Sequence, residues 1–372
     1  MNILIKRLLV ISTIIFFPLI NAELDLLEKS SIQSKLATKS ILNDVVQHNS
    51  SFIAVGVRSH IINWQSPEQW QQENAPVSVV LTAITLLPDG SKIAVGHDSA
   101  IIISAADSNE WKKVFDGFDL LKLKSDLLNN QMSSLKEQLS ATTDEDEKEE
   151  LEFQLEELTY SLDDTITEQK NGPDKPLLGV AATSEGNLFA VGAYGTLLSS
   201  SDKGATWVLL DNKIDNPDRF HLNAVITSSD DKIYVVGESG SGFVSEDQGN
   251  SWTSMMMPYS GSLFGISAQQ GTENLVAFGL QGNLMVSNDS GKNWIHKKIK
   301  SSASFLGGTI SENGRAYVVG HGGIILDLDV ENIEDLNIQK HPSGAVFSKV
   351  LIHKNNMILT GQFGISSQPL QN

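Results

Sequence analysis

Seven times along the chain a short apolar run ends on glycine: "FIAVG" (52–56), "KIAVG" (92–96), "LFAVG" (188–192), "IYVVG" (233–237), "LVAFG" (275–279), "AYVVG" (316–320) and "MILTG" (357–361). These glycines, at 56, 96, 192, 237, 279, 320 and 361, are spaced by 40, 96, 45, 42, 41 and 41 residues. A period in the low forties predicts one small four-stranded sheet per repeat, which stacks radially against its neighbours. The fourth unit gives the pattern: "LNAVIT" (222–227), "IYVVG", "SGFVS" (241–245) and "SWTSMMM" (251–257). All four runs favour strands, and turn residues separate them. The expected fold is all-β, a seven-bladed β-propeller.

Two departures shape the domain organisation. The seventh unit ends at "GISSQPLQN" without an outer strand, and an open sheet edge is a liability. "SSIQSKLAT" (30–38) is therefore expected to supply the missing strand of blade 7. The 96-residue spacing contains an insertion at 118–172. Leu121, Leu128, Met132, Leu135 and Leu139 mark one helical seam, and Leu151, Leu155, Leu158, Leu162 and Ile166 a second. Thr142 and Glu145 fit a capping box for the second helix. An antiparallel helical hairpin thus separates blades 1–2 (23–117, including the closing strand) from blades 3–7 (173–372). Residues 118–170 hold 15 acids and five lysines, which makes the hairpin a strongly acidic arm, either a solvated spacer or a docking element.

The N-terminus has its own character. Lys6 and Arg7 precede an apolar run at 8–20 and then "INA", the pattern of an export signal over 1–22 cleaved after Ala22. The chain contains no Cys, so an exported form must be stable without disulfides. Its formal charge of −18 opposes binding to nucleic acid or anionic lipid. The expected location is periplasmic or secreted, with peripheral rather than integral membrane association.

A second pattern, S-x-D-x-G-x-x-W, recurs as "SSDKGATW" (200–207), "SEDQGNSW" (245–252) and "SNDSGKNW" (287–294). It fixes Ser200, Asp202, Gly204 and Trp207; Ser245, Asp247, Gly249 and Trp252; and Ser287, Asp289, Gly291 and Trp294. It falls between the third and fourth strands, where Asp can bind the turn's own N–H groups and Gly can take positive φ. The second unit, "SAADSNEW" (104–111), keeps Trp111 while Ala106 and Ser108 replace Asp and Gly, and the first keeps Trp70 alone. Tryptophan outlasts the acid, as packing requires and catalysis would not. One carboxylate per turn is also a poor calcium site.

"LFAVGAYGTLLSSSDKGATW" (188–207) and its sister units resemble the Asp-box (BNR-repeat) propellers. The phrase AVGxxGxxxxSxDxGxxW is more narrowly similar to the photosystem II stability/assembly factor-like family. The resemblance spans residues 40–367 outside the insertion, and implies a seven-bladed, exported or lumenal, non-enzymatic assembly factor for a membrane-protein complex. Photosynthetic members typically carry Arg before the motif's Ser. Here Ser199, Val244 and Val286 stand there, and the acidic arm is foreign to that pattern, so a different client is implied. Some non-photosynthetic members of the family are associated with large export machinery, so the resemblance makes an export machine one expected client.

The turns after the seven glycines should share a face with the blade connections and the arm. Their variable residues form a candidate partner-binding rim: Arg58, His60, His97, Asp98, Tyr194, Glu238, Gln281, His321 and Phe363. A mixed rim suits a protein surface better than a metal site at His60, His97 and His321, which lie on different blades. No cofactor, metal site or catalytic residue is expected. The alternative is a sialidase-like glycoside hydrolase, but beyond residue 22 the chain has only Arg58, Arg219 and Arg315 to hold a substrate carboxylate.

Overall fold

The computed structural model describes residues 25–370. Seven antiparallel sheets form the blades at 42–73, 81–115, 177–209, 222–254, 263–298, 305–340 and 347–369. Each is built in chain order from the channel outward. Second strands are buried throughout in blades 1–5, and at all but their first residue in blades 6 and 7, because each is covered by sheets on both sides. The protein is a seven-bladed β-propeller with an inserted helical hairpin. The expected export signal, 1–22, lies outside the described residues. Among those described, no helix is long and apolar enough to cross a membrane.

The seven closing glycines are fixed by space. Six of them have φ between −156° and −177°, extended backbone open to any residue. A Cβ on any of the seven would sit 2.0–2.4 Å from the carbonyl oxygen of the residue that leads into the same blade's inner strand. That oxygen accepts a hydrogen bond of 2.8–3.1 Å from the N–H just after the glycine: Val57 to Ile41, His97 to Val80, Ala193 to Pro176, Glu238 to His221, Leu280 to Ser262, His321 to Ser304, and Gln362 to Val346. One contact per blade thus joins the entry of the inner strand to the exit of the second.

Blade 7 corrects an expectation. It has three strands, and residues 30–38 add none to it. The segment runs along blade 1 instead, where Ser31 N–H donates to Ala75 O (3.0 Å), Ser34 N–H to Gln72 Oε1 (2.8 Å) and Gln72 Nε2 to Ile32 O (2.9 Å). Its end then turns as a 3-10 helix, Ala37–Lys39. Ala37 is fully buried in the cluster that joins blade 1 (Leu42, Val45, Phe52, Trp64) to blade 7 (Ile358, Ile365). The side chain of Gln72 offers both a donor and an acceptor to the segment, which makes blade 1 the better-paired partner. The outer strand of blade 4 is shorter than the expected 251–257: it is only Thr253–Ser254, as short as Val208–Leu209 in blade 3, with the methionine run lying beyond it.

The insertion is an antiparallel hairpin of α1 (Gly117–Ala141) and α2 (Glu145–Asn171), each about 40 Å long. Asp116 caps α1, accepting from Phe118 N–H while Asp119 accepts from Asp116 N–H. The cap of α2 is Asp144, which accepts from the N–H groups of Asp146 and Glu147. Thr142 ends α1 instead of capping α2; its hydroxyl bonds the Glu147 carboxylate. Ile166 also departs from the expected seam: it is 38% exposed and Thr165 faces inward, its hydroxyl bonded to Ser161 O.

Gly237→Ala would press its Cβ onto His221 O and should cost about 3 kcal/mol in urea unfolding. Gly322→Ala meets open space at φ +67° and should cost only the left-handed backbone term, about 1 kcal/mol.

Candidate functional site

The S-x-D-x-G-x-x-W turns resolve into a closed network. In the second copy Ser245 Oγ donates to Asp247 Oδ1 (2.9 Å) and accepts from Gly249 N–H (2.9 Å). Ser251 then donates to both carboxylate oxygens, by N–H at 2.8 Å and by hydroxyl at 2.6 Å. Thr206 does the same for Asp202, and Asn293 for Asp289. The residue before Trp is therefore a side-chain donor in every copy, a regularity the sequence pattern passed over as x. These bonds, led by the one from that side chain, hold all three carboxyls below the usual range. The glycines have φ of +82° to +90° and press on the preceding blade: a Cβ on Gly249 would lie 2.5 Å from the Phe189 ring. Trp252 meets the same ring edge-on at 6.2 Å. The turn is a staple between blades.

Blade 2 keeps the staple without the acid. Lys92 is 2% exposed where Leu188, Ile233 and Leu275 stand in blades 3–5. Its ammonium bonds Ser108 O (2.5 Å) in the degenerate turn and pairs with Glu73 of blade 1 at 3.7 Å. Trp111 Nε1 donates to the same Glu73 (2.7 Å). A buried ion pair thus replaces the missing Asp.

The variable turns face one end of the propeller. Arg58, Asp98, Tyr194, Ser239 and Gln281 occupy their tips at φ 54–57°. His97, Gln281, His321 and Phe363 are exposed. His60 is corrected: it is buried, and burial first, then Arg58, lowers its pKa. It leaves the rim because the turn's own tip, Arg58, takes the outward position. Glu238 is only half-exposed, since its carboxylate accepts from His221 N–H (3.0 Å); Ser239 is the tip there. No group of three His, Asp or Glu side chains converges among the described residues.

Inside the rim lies a central channel of about 470 Å³. Every inner strand begins with a bulge after its first residue. Four bulge residues reach the next blade's first strand carbonyl: Asn43 to Leu81 O, Thr82 to Leu177 O, Asn223 to Leu263 O, and Ser348 to Leu42 O, all at 2.7–2.8 Å. Leu178, Phe264 and Leu306 fill the other three positions, in blades 3, 5 and 6, with apolar side chains. At the seam between blades 7 and 1, Lys349 lies 3.9 Å from Asp44, whose pKa burial raises. Asp44 also accepts from Ile84 N–H of blade 2 (3.0 Å).

The arm is rooted on the rim. Gly117 lies against Pro173 and Asp98 O, and Ser99 N–H donates to Lys175 O (2.8 Å). Leu120 packs into the cluster shared by blades 2 and 3. Lys175 bonds Glu168 and stands over the Tyr194 ring at 5.2 Å, and Tyr194 meets His221 edge-on at 5.0 Å. Beneath them burial, and then Lys175, push Lys124 down to about 8, while burial raises Asp211. Tyr194 is the rim residue that the arm, the rim and the loop before blade 4 all share. Arg315, by contrast, is held by Asp327 (2.7 Å) and Asp335 (2.9 Å), apart from the other arginines.

Lys92→Met leaves Glu73 buried without its counter-charge and should cost about 3 kcal/mol; adding Glu73→Gln should recover most of that loss in the same urea melts. The depressed carboxyls predict a pH dependence. Folded Asp202, Asp247 and Asp289 bind fewer protons than the unfolded chain near their ordinary pKa of 3.8. Their contribution is therefore present above that value and is lost as pH falls through the lower folded pKa values. Melting temperature should drop from pH 5 to pH 3, and drop less in a chain carrying Asp202→Asn, Asp247→Asn and Asp289→Asn.

No protein-family model matches this chain, and no curated protein matches it in sequence. Solved structures do. YCF48 bound to a D1 peptide aligns at 14% identity and a TM-score of 0.58, over 92% of this chain and 97% of that one. YCF48 from Cyanidioschyzon merolae aligns at 12% identity and 0.57, over 92% and 98%. The WD40 propeller domain of Doa1 aligns at 9% and 0.58, over 91% and 95%. At these identities the likeness is one of fold, and the chain is a β-propeller.

Proposed function

We propose that this protein is an exported, non-enzymatic binding platform, an assembly or accessory factor for an envelope membrane-protein complex such as an export machine. It would associate with the membrane peripherally, through that partner. The observation that carries the reading is the arm's root on Tyr194, which makes an acidic helical hairpin and a rim of seven turns one continuous surface. Tyr194 is 55% exposed and Phe363 61%, aromatic groups of the kind that anchor protein interfaces. That a similar propeller, YCF48, has been solved with a D1 peptide bound supports peptide or protein recognition by this scaffold.

The hydrolase alternative gains nothing from the geometry. Arg315 is committed to two aspartates, and Arg58 and Arg219 belong to different blades' edges.

Crosslinking and pull-down from intact cells should capture a membrane-complex subunit with the full chain and lose it when 118–172 is replaced by a short linker. Identical partners without the arm would refute its part in binding, and no partner at all would refute the platform.

A further inference from the structure

A two-helix hairpin covers each leucine seam on one side only. In α1 full burial is confined to the root, Gly117, Leu120 and Leu121, and in α2 to Leu151 and Thr165. Leu128, Met132, Leu135, Leu139, Leu155, Leu158 and Leu162 are all just half-buried. Between the helices a hollow of about 360 Å³ is floored by Leu135 and Leu158. A second, of about 380 Å³, lies between the hairpin root and blade 3, bounded by Leu127, Leu128, Ile214 and Tyr194. The two share Gln131 and Leu158, so they form one trough from the rim up the hairpin.

From Leu127 to Leu135 the trough runs about 12 Å. Helix anchors at i, i+4 and i+7 span about 10.5 Å, which matches it. Its borders are acidic on balance: Glu157 lines the upper part, and Asp211 and Asp215 outnumber Arg219 at the root, on an arm with 15 acids and five lysines. We infer that this trough takes a basic amphipathic α-helix of the partner protein, which completes a three-helix bundle with α1 and α2. The inference rests on the binding-platform reading and names the partner's recognition element. Apolar anchors of the incoming helix cover the half-buried leucines, and flanking Lys or Arg side chains meet the acidic borders. The opposite face of α2 carries Phe153 and Tyr160, 58% and 63% exposed, which line neither of these two hollows.

The chain has no Cys, so single labels report locally. Ser134→Cys carries an environment-sensitive fluorophore in the trough, and Glu149→Cys carries it on the outward face of α2. The probe is an 18-residue peptide of Leu and Lys with leucines at helical i, i+4, i+7 spacing, compared with a Leu/Glu peptide of the same pattern. The Lys peptide should shift the Ser134→Cys signal saturably and at least tenfold more tightly than the Glu peptide. Gln131→Trp, which fills the trough and keeps every seam leucine, should weaken that binding at least tenfold. Equal response to both peptides, a response confined to Glu149→Cys, or full binding by Gln131→Trp would overturn the inference. In cells, a Gln131→Trp chain that retains the partner lost on removing 118–172 would overturn the trough while leaving the platform intact.

Discussion

Everything in this propeller hangs from a carbonyl that lies where a side chain would otherwise be. In each blade the residue entering the inner strand points its C=O at the N–H that follows the closing glycine. That approach leaves 2.0–2.4 Å for a Cβ, so only glycine fits. The bond fixes where the inner strand starts and where the second strand stops. The following turn then projects at the same height in every blade, which aligns seven otherwise unrelated loops into a rim. Because the contact consumes main-chain groups and a missing side chain, the turn tips remain free to vary.

Blade-to-blade adhesion uses a wider vocabulary. Apolar faces supply most of it, since adjacent sheets bury nearly all of each second strand. Polar staples add direction: the Asp networks of blades 3–5, the Lys92–Glu73–Trp111 set between blades 1 and 2, and the bulge residues Asn43, Thr82, Asn223 and Ser348 around the channel mouth. Closure between blades 7 and 1 draws on several of these together. Ala37 plugs the outer seam, Ser348 bonds across it, and Lys349 faces Asp44 within the channel. A fourth strand is therefore not the only means of joining the ends of such a ring.

The arm follows another logic. Its α1 is anchored by Asp116 and by Leu120 in the core between blades 2 and 3, so its direction is set by the propeller. Farther out, the hairpin covers its own leucines only in part. A helix pair that is rigid at the root and incomplete along its length is suited to receive a third element.

The period of the closing glycines was enough to predict seven blades, because a backbone approach that excludes Cβ leaves the same mark each time it occurs. The S-x-D-x-G-x-x-W copies were legible as turns for the same reason, though the donor before Trp hid behind three residue types, Thr206, Ser251 and Asn293, that share only a hydrogen. Leucine spacing located the hairpin. Tertiary structure alone decided the rest. The path of residues 30–38 depended on Gln72 offering two bonds along blade 1, and the helix start depended on whether Asp144 or Thr142 reached the free N–H groups. His60 turned inward because its neighbour Arg58 took the left-handed tip of the turn. The junction of Lys175, Tyr194 and His221 joins residues from separate segments across the arm's root. Repetition writes itself into sequence because one local physical demand is met many times; a unique contact between distant segments is met once, and only the folded chain displays it.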